Sequence, residues 1–223
     1  MNKIFYFFFL LTASNLSLSA QQTDCVRTPS FGEKDICLPQ IKGYVESYLE
    51  PDIKILADAT EVAANQVLGF YLNQETHQNK EEGGLDEFDD YFKVYATTQL
   101  EDLDTDEAML RQMQATLDGN FITKNWDEME KEIDKIGLEV QVGVPTVIKS
   151  YSLDDNSFTY VMLIKYQFEG MDPYTMAMTM NGMLVNQRLI WMAYYLNYEG
   201  EETIPLLEKN SNRILDTFTS LKN

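Results

Sequence analysis

The chain of 223 residues carries 36 acidic against 17 basic side chains, a formal net charge of −19. Such a field repels phosphate backbones and anionic head groups, which argues against nucleic-acid and membrane-surface partners. One His and two Cys leave Ser-His or Cys-His nucleophile systems, and any His-based zinc site, poorly supported.

The chain opens with a processing segment. Lys3 supplies a positive start, Ile4 to Leu11 an unbroken apolar run, and a small, polar stretch ends at Leu18-Ser19-Ala20. That run is far short of the ~20 apolar residues a spanning helix needs. Gln22-Thr23-Asp24 before Cys25 lacks the small and aliphatic residues of a lipoprotein signal, so cleavage after Ala20 is expected. Residues 1–20 are thus read as a signal peptide and 21–223 as one domain, secreted or periplasmic and not inserted in a membrane. Removing the leader takes away only Lys3 among the charges and leaves the mature chain slightly more acidic.

Cys25 and Cys37 follow closely. In an oxidising compartment they are expected to pair, contributing about 3 kcal/mol in the chain-entropy model. The rival, a two-Cys metal or redox site, lacks C-x-x-C spacing and a nearby His.

Asp35 to Tyr48 reads as an extended region broken by Pro39 and Gly43. Residues 66–72 and 91–97 alternate with period two and predict a hairpin across a long polar loop, Glu75 to Asp90. Asp104 and Glu107 have capping-box spacing before Ala108, Met109, Met113 and Leu117, with Gly119 as a stop. A second amphipathic helix starts at Asn125, with Trp126, Met129, Ile133 and Ile136 as its stripe and Gly137 as its end. Residues 138–151 read as a strand broken near Pro145, and 158–168 alternate strongly. Tyr174 to Val185 and Leu189 to Leu196 complete the strands. Asn181-Gly182 is the stronger turn signal, yet a turn there pairs strands of unequal length, so the turn is expected at Asn186-Gln187. The last helix opens near Thr203, with Pro205 in its first turn. Leu207, Ile214, Phe218 and Leu221 share its apolar face, and Glu208, Asn212 and Asp216 lie off it.

Leu184-Val185-Asn186, Arg188-Leu189 and Tyr194-Tyr195, followed by an acidic turn and a helix closing on Phe218, resemble the end of PsbP-like α/β sandwich domains. The resemblance covers the last third of the chain, and the rest by element order. It implies an α+β fold, a central antiparallel sheet with helices packed on its faces. It also implies a non-catalytic accessory or binding role, and it carries over no site residue.

Four constellations remain. Glu81, Glu82, Asp86, Glu87, Asp89 and Asp90 form an acidic loop able to attract calcium. Asp102-x-Asp104-x-Asp106 begins like a calcium loop but has Glu107 and Met113 where Gly and Glu are needed, so a helix cap explains it better. Met176, Met178 and Met180 put three thioethers on one strand face, with Met183 and Met192 nearby in sequence. Soft sulfur selects Cu(I), and methionine also simply fills cores. Trp191, Tyr194, Tyr195 and Tyr198, with Tyr174, offer a candidate binding surface if a sheet face is left uncovered. No cofactor motif occurs. The expected function is an exported binding or accessory domain for an unknown protein or small-molecule partner. The alternatives are a carboxylate-dependent hydrolase and a periplasmic copper or calcium carrier.

Overall fold

Strands of period two, buried on both faces, dominate the C-terminal half and build the sheet on which everything else packs. The computed structural model describes residues 25–81, 88–117, 121, 124–135, 140–168, 170 and 172–221. The leader lies outside them, as do Glu82, Asp86, Glu87, Gly119, Ile136 and Gly137.

The N-terminal segment forms β1 (Cys25–Arg27), β2 (Ser30–Phe31), β3 (Lys34–Asp35), β4 (Leu38–Pro39) and β5 (Tyr44–Glu46). Then come α1 (Pro51–Ala59), β6 (Asn65–Asn73), α2 (Gln74–Glu81), β7 (Asp90–Thr97), α3 (Glu107–Thr116) and α4 (Trp126–Asp134). The chain continues through β8 (Val140–Val142), β9 (Thr146–Tyr151), β10 (Ser157–Phe168), β11 (Tyr174–Val185), β12 (Arg188–Asn197) and α5 (Thr203–Thr219). The main sheet is antiparallel in the order β5-β6-β7-β12-β11-β10-β8, with β9 also on β10. Among the described residues its two sequence halves meet at one seam, β7 against β12. The architecture is α+β, a central antiparallel sheet flanked by helices.

One face of the sheet is covered by α5 and the N-terminal segment. Leu207, Ile214, Leu215 and Phe218 from the helix and Phe31, Ile36, Leu38 and Ile41 from the segment meet Phe92, Val94, Met183, Ile190 and Met192. A buried polar network ties α5 to that face. Thr159 donates to Asn181 Oδ1 at 2.7 Å, and Asn181 Nδ2 donates to Thr179 and to the Met192 carbonyl at 3.0 Å. Ser211 of α5 completes the network against Thr179 at 2.8 Å. Complete pairing makes a buried polar cluster tolerable.

Cys25 and Cys37 are joined, with their Cα atoms 5.3 Å apart. Arg27 fixes the bridged segment to the sheet. Its guanidinium donates to both oxygens of Glu46, at 3.0 and 3.1 Å, and to the Leu68 carbonyl.

Several local expectations are corrected. The polar stretch after β6 is not all loop, because residues 74–81 form a helix that starts as Asn73 Oδ1 accepts from the Glu75 amide at 2.9 Å. A further helix, α1, begins on Pro51, where a missing N–H is harmless. The α3 cap is Asp106, accepting from the Met109 amide at 2.8 Å, while Asp104 pairs with Arg188. Leu110 is the buried residue of α3, and Met109 stands 38% exposed. Asn212 lies off the apolar face of α5 as expected, and is partly covered there, since Tyr151 donates to its side chain at 2.8 Å.

The β11–β12 turn falls at Asn186-Gln187, both with positive φ (48° and 62°), as a type I′ turn requires. Asn181 and Gly182 continue the strand. Gly182 sits opposite both Trp191 and Phe158, and a side chain there would run into the Phe158 ring.

Candidate functional site

The second face is covered in two pieces. Ile53 and Ala57 of α1 pack on Val67, Phe70 and Leu72. Leu110 of α3 and Trp126 of α4 pack with Phe158, Tyr160, Met162, Trp191 and neighbours. Five tyrosines from four strands share this face: Tyr91 of β7, packed against the first cluster, Tyr95 of β7, Tyr195 of β12 and Tyr166 of β10, packed against the second, and Tyr174 of β11. Tyr91 and Tyr195 are directly opposite across the seam and stack at 4.8 Å with 14° between their planes. Tyr166 and Tyr174 are likewise opposite and stack at 5.5 Å. Tyr174 is 40% exposed, and the other four are half-buried.

Burial pushes all five phenols above their ordinary range. Mutual repulsion between the phenolates that would form adds to this for Tyr91, Tyr166 and Tyr195. The strip is therefore neutral at physiological pH, each hydroxyl able to donate and to accept. The hydroxyls of Tyr91, Tyr95, Tyr166 and Tyr195 make no hydrogen bond among the described residues. Beneath the strip, Lys93 pairs with Glu61 at 2.6 Å and donates to the Thr60 carbonyl at 3.1 Å. Its ammonium lies 5.8 Å from the Tyr95 ring centre.

The residues singled out from sequence are divided by the pleat. Tyr195 joins the strip. Tyr194 points to the opposite face, fully buried, within 3.2 Å of the Tyr44 hydroxyl and accepting from Asn210 at 3.0 Å. Tyr198 packs against that same α5-side core. Trp191 shares the face of the strip but is buried edge-to-face against Phe158 at 5.7 Å. Tyr91, Tyr95 and Tyr166 were missed because their strands first had to be ordered in the sheet.

Met176, Met178 and Met180 do share a face. Met178 stands opposite Tyr195, and both Met178 and Met180 belong to the apolar cluster under α3 and α4. Met183 and Met192 face the other way, in the α5-side core. Among the described residues no group of three or more His, Cys, Asp or Glu is placed to hold a metal ion. Of the acidic loop, Asp89 is exposed and Asp90 accepts from Tyr44 at 2.7 Å and from Asn73 at 2.9 Å.

For carboxylate chemistry two acids must converge. Two buried carboxylates, Glu46 and Glu61, are instead each bound to a basic side chain. Asp104 is held below the usual carboxylate range, chiefly by its hydrogen bond from Arg188. An open cleft of about 540 Å³ lies between the start of α3, the Asn186-Gln187 turn and the end of α5. Asp106, Glu107 and Arg111 line it. No helix among the described residues is long and apolar enough to cross a membrane.

No family model and no curated protein matches the chain. Solved structures similar to it include the Ran-binding protein Mog1p of Saccharomyces cerevisiae, at 11% identity and a TM-score of 0.32, over 86% of this chain and 85% of that one. A point mutant of Mog1 gives 9% identity and a TM-score of 0.34, over 87% and 92%. Both scores lie below 0.5, and neither an activity nor a partner passes to this chain from them.

Proposed function

We propose that the chain is an exported, non-catalytic binding domain that contacts a basic segment of a partner protein through its tyrosine strip. The observation carrying this reading is the set of five neutral tyrosines gathered on one incompletely covered sheet face, Tyr174 exposed at its end. Tyrosine gives rigid amphipathic contact area at low entropic cost. The net charge of −19 selects cationic partners, and tyrosine faces attract Arg and Lys. Within the chain Tyr48 already takes such contacts, with Lys54 4.5 Å and Arg27 5.0 Å from its ring centre. The likeness of the C-terminal third to PsbP-like domains supports an accessory role, and kinship with that family is part of the proposal.

Titration of an arginine-rich peptide at physiological salt tests the strip. Tyr174→Ala should weaken binding about 2- to 5-fold, the effect of one exposed cation–π contact of roughly 0.5–1 kcal/mol. Unchanged affinity in Tyr174→Ala and Tyr95→Ala would reduce the attraction to diffuse charge and reject the strip as the site. Export is tested separately by intact-mass analysis of native material, which should begin at Gln21. Retention of Met1 to Ala20 would refute it.

A further inference from the structure

We propose that Tyr91 and Tyr195 form a dityrosine cross-linking site, closed by a small one-electron oxidant derived from peroxide. The pair stands in register across the seam that, among the described residues, joins the two sequence halves of the sheet. The rings are near-parallel, 14° apart with their centres at 4.8 Å, which holds the two phenols within reach of one another. Both residues are half-buried rather than sealed, and neither hydroxyl is hydrogen-bonded among the described residues. Each phenol can therefore release its proton to water as its electron leaves.

Other tyrosine contacts lack this combination. Tyr44 and Tyr194 meet edge-on, at 86° and 6.2 Å, with their hydroxyls engaged. Tyr166 and Tyr174 stack less closely, at 5.5 Å and 23°, and link neighbouring strands of one hairpin. The disulfide lies outside the seam, within the N-terminal segment.

In the reaction each phenol loses one electron and one proton. The two radicals couple through ortho carbons, and the two ring protons at the new C–C bond shift to the oxygens. The net loss is two electrons and two protons, which reduce one hydrogen peroxide to two waters. A covalent bridge between β7 and β12 would bolt together strands far apart in sequence.

The test exposes dilute full-length chain to a photogenerated small-molecule oxidant. A monomeric product lighter by two hydrogens is expected, with dityrosine fluorescence and a cross-linked peptide joining Tyr91 to Tyr195. Its denaturation midpoint should rise. Tyr91→Phe and Tyr195→Phe keep the stacked rings and should abolish the product, whereas Tyr166→Phe should retain it. A link between other tyrosines, cross-links only between molecules, product surviving in Tyr91→Phe, or equal yield in denaturant would each overturn the assignment.

Discussion

Phe218→Ala should lower the free energy of unfolding by about 3–5 kcal/mol, the range for truncating a buried ring. Phe218 is 1% exposed and packs in the cluster that holds α5 against β11 and β12. Two further substitutions on the helix calibrate the measurement. Asp216 is exposed, so Asp216→Ala should stay within about 0.5 kcal/mol of the parent. Asn212→Ala should fall between, near 1 kcal/mol, because it removes the acceptor for Tyr151. Urea melts of the four proteins give the order directly. If Phe218→Ala melts like the parent, α5 is not docked in solution and its apolar stripe is free for a partner's groove.

Much of this arrangement was legible in residue order. Period-two runs located β6, β7, β10, β11 and β12, because burial on a pleated face leaves alternation in the sequence. The preference for Asn186-Gln187 over Asn181-Gly182 rested on strand length, and the physical reason lies across the sheet. Asn181 is used as a buried hydrogen-bonding hub, and Gly182 leaves room for the Phe158 ring. Neither partner is adjacent in sequence. The same limit explains the aromatic residues. Tyr194 and Tyr195 could be assigned to opposite faces, but not to a covered or open one. That depends on where α1, α3 and α4 settle, and α1 and α2 carry weak local signals. Three of the five strip tyrosines come from β7 and β10: β7 meets β12 only after a long connection, and Tyr166 comes opposite Tyr174 only once the register of the β10–β11 hairpin is set. The α3 cap was misread by two residues because Asp104 and Asp106 both suit the position. Arg188, distant in sequence, claims Asp104.

Glu61→Leu should destabilise the domain by about 3–5 kcal/mol, and adding Lys93→Met should restore most of that loss. Lys93 and Glu61 have side chains only 8% and 10% exposed and sit 2.6 Å apart beneath the tyrosine strip. Removing the carboxylate alone strands an ammonium beside Tyr95 with, among the described residues, the Thr60 carbonyl to solvate it. An uncompensated buried charge costs far more than the pair itself contributes, because desolvation nearly cancels the mutual attraction. Two apolar side chains of similar volume remove both the charges and the penalty. Glu61 also accepts from Asn65 at 2.8 Å and from the Val62 amide at 3.1 Å, so the double variant should end slightly below the parent rather than above it. The double variant also bears on function. If the pair only supports the strip, Glu61→Leu with Lys93→Met should bind the arginine-rich peptide within about 2-fold of the parent, since neither side chain is exposed enough to contact it. Were stability restored but binding lost, the pair would itself belong to the contact surface, and the strip would have to be redrawn around its charge. If the double variant is as unstable as the single one, the pair is a net stabilising contact, and the desolvation argument fails at this position.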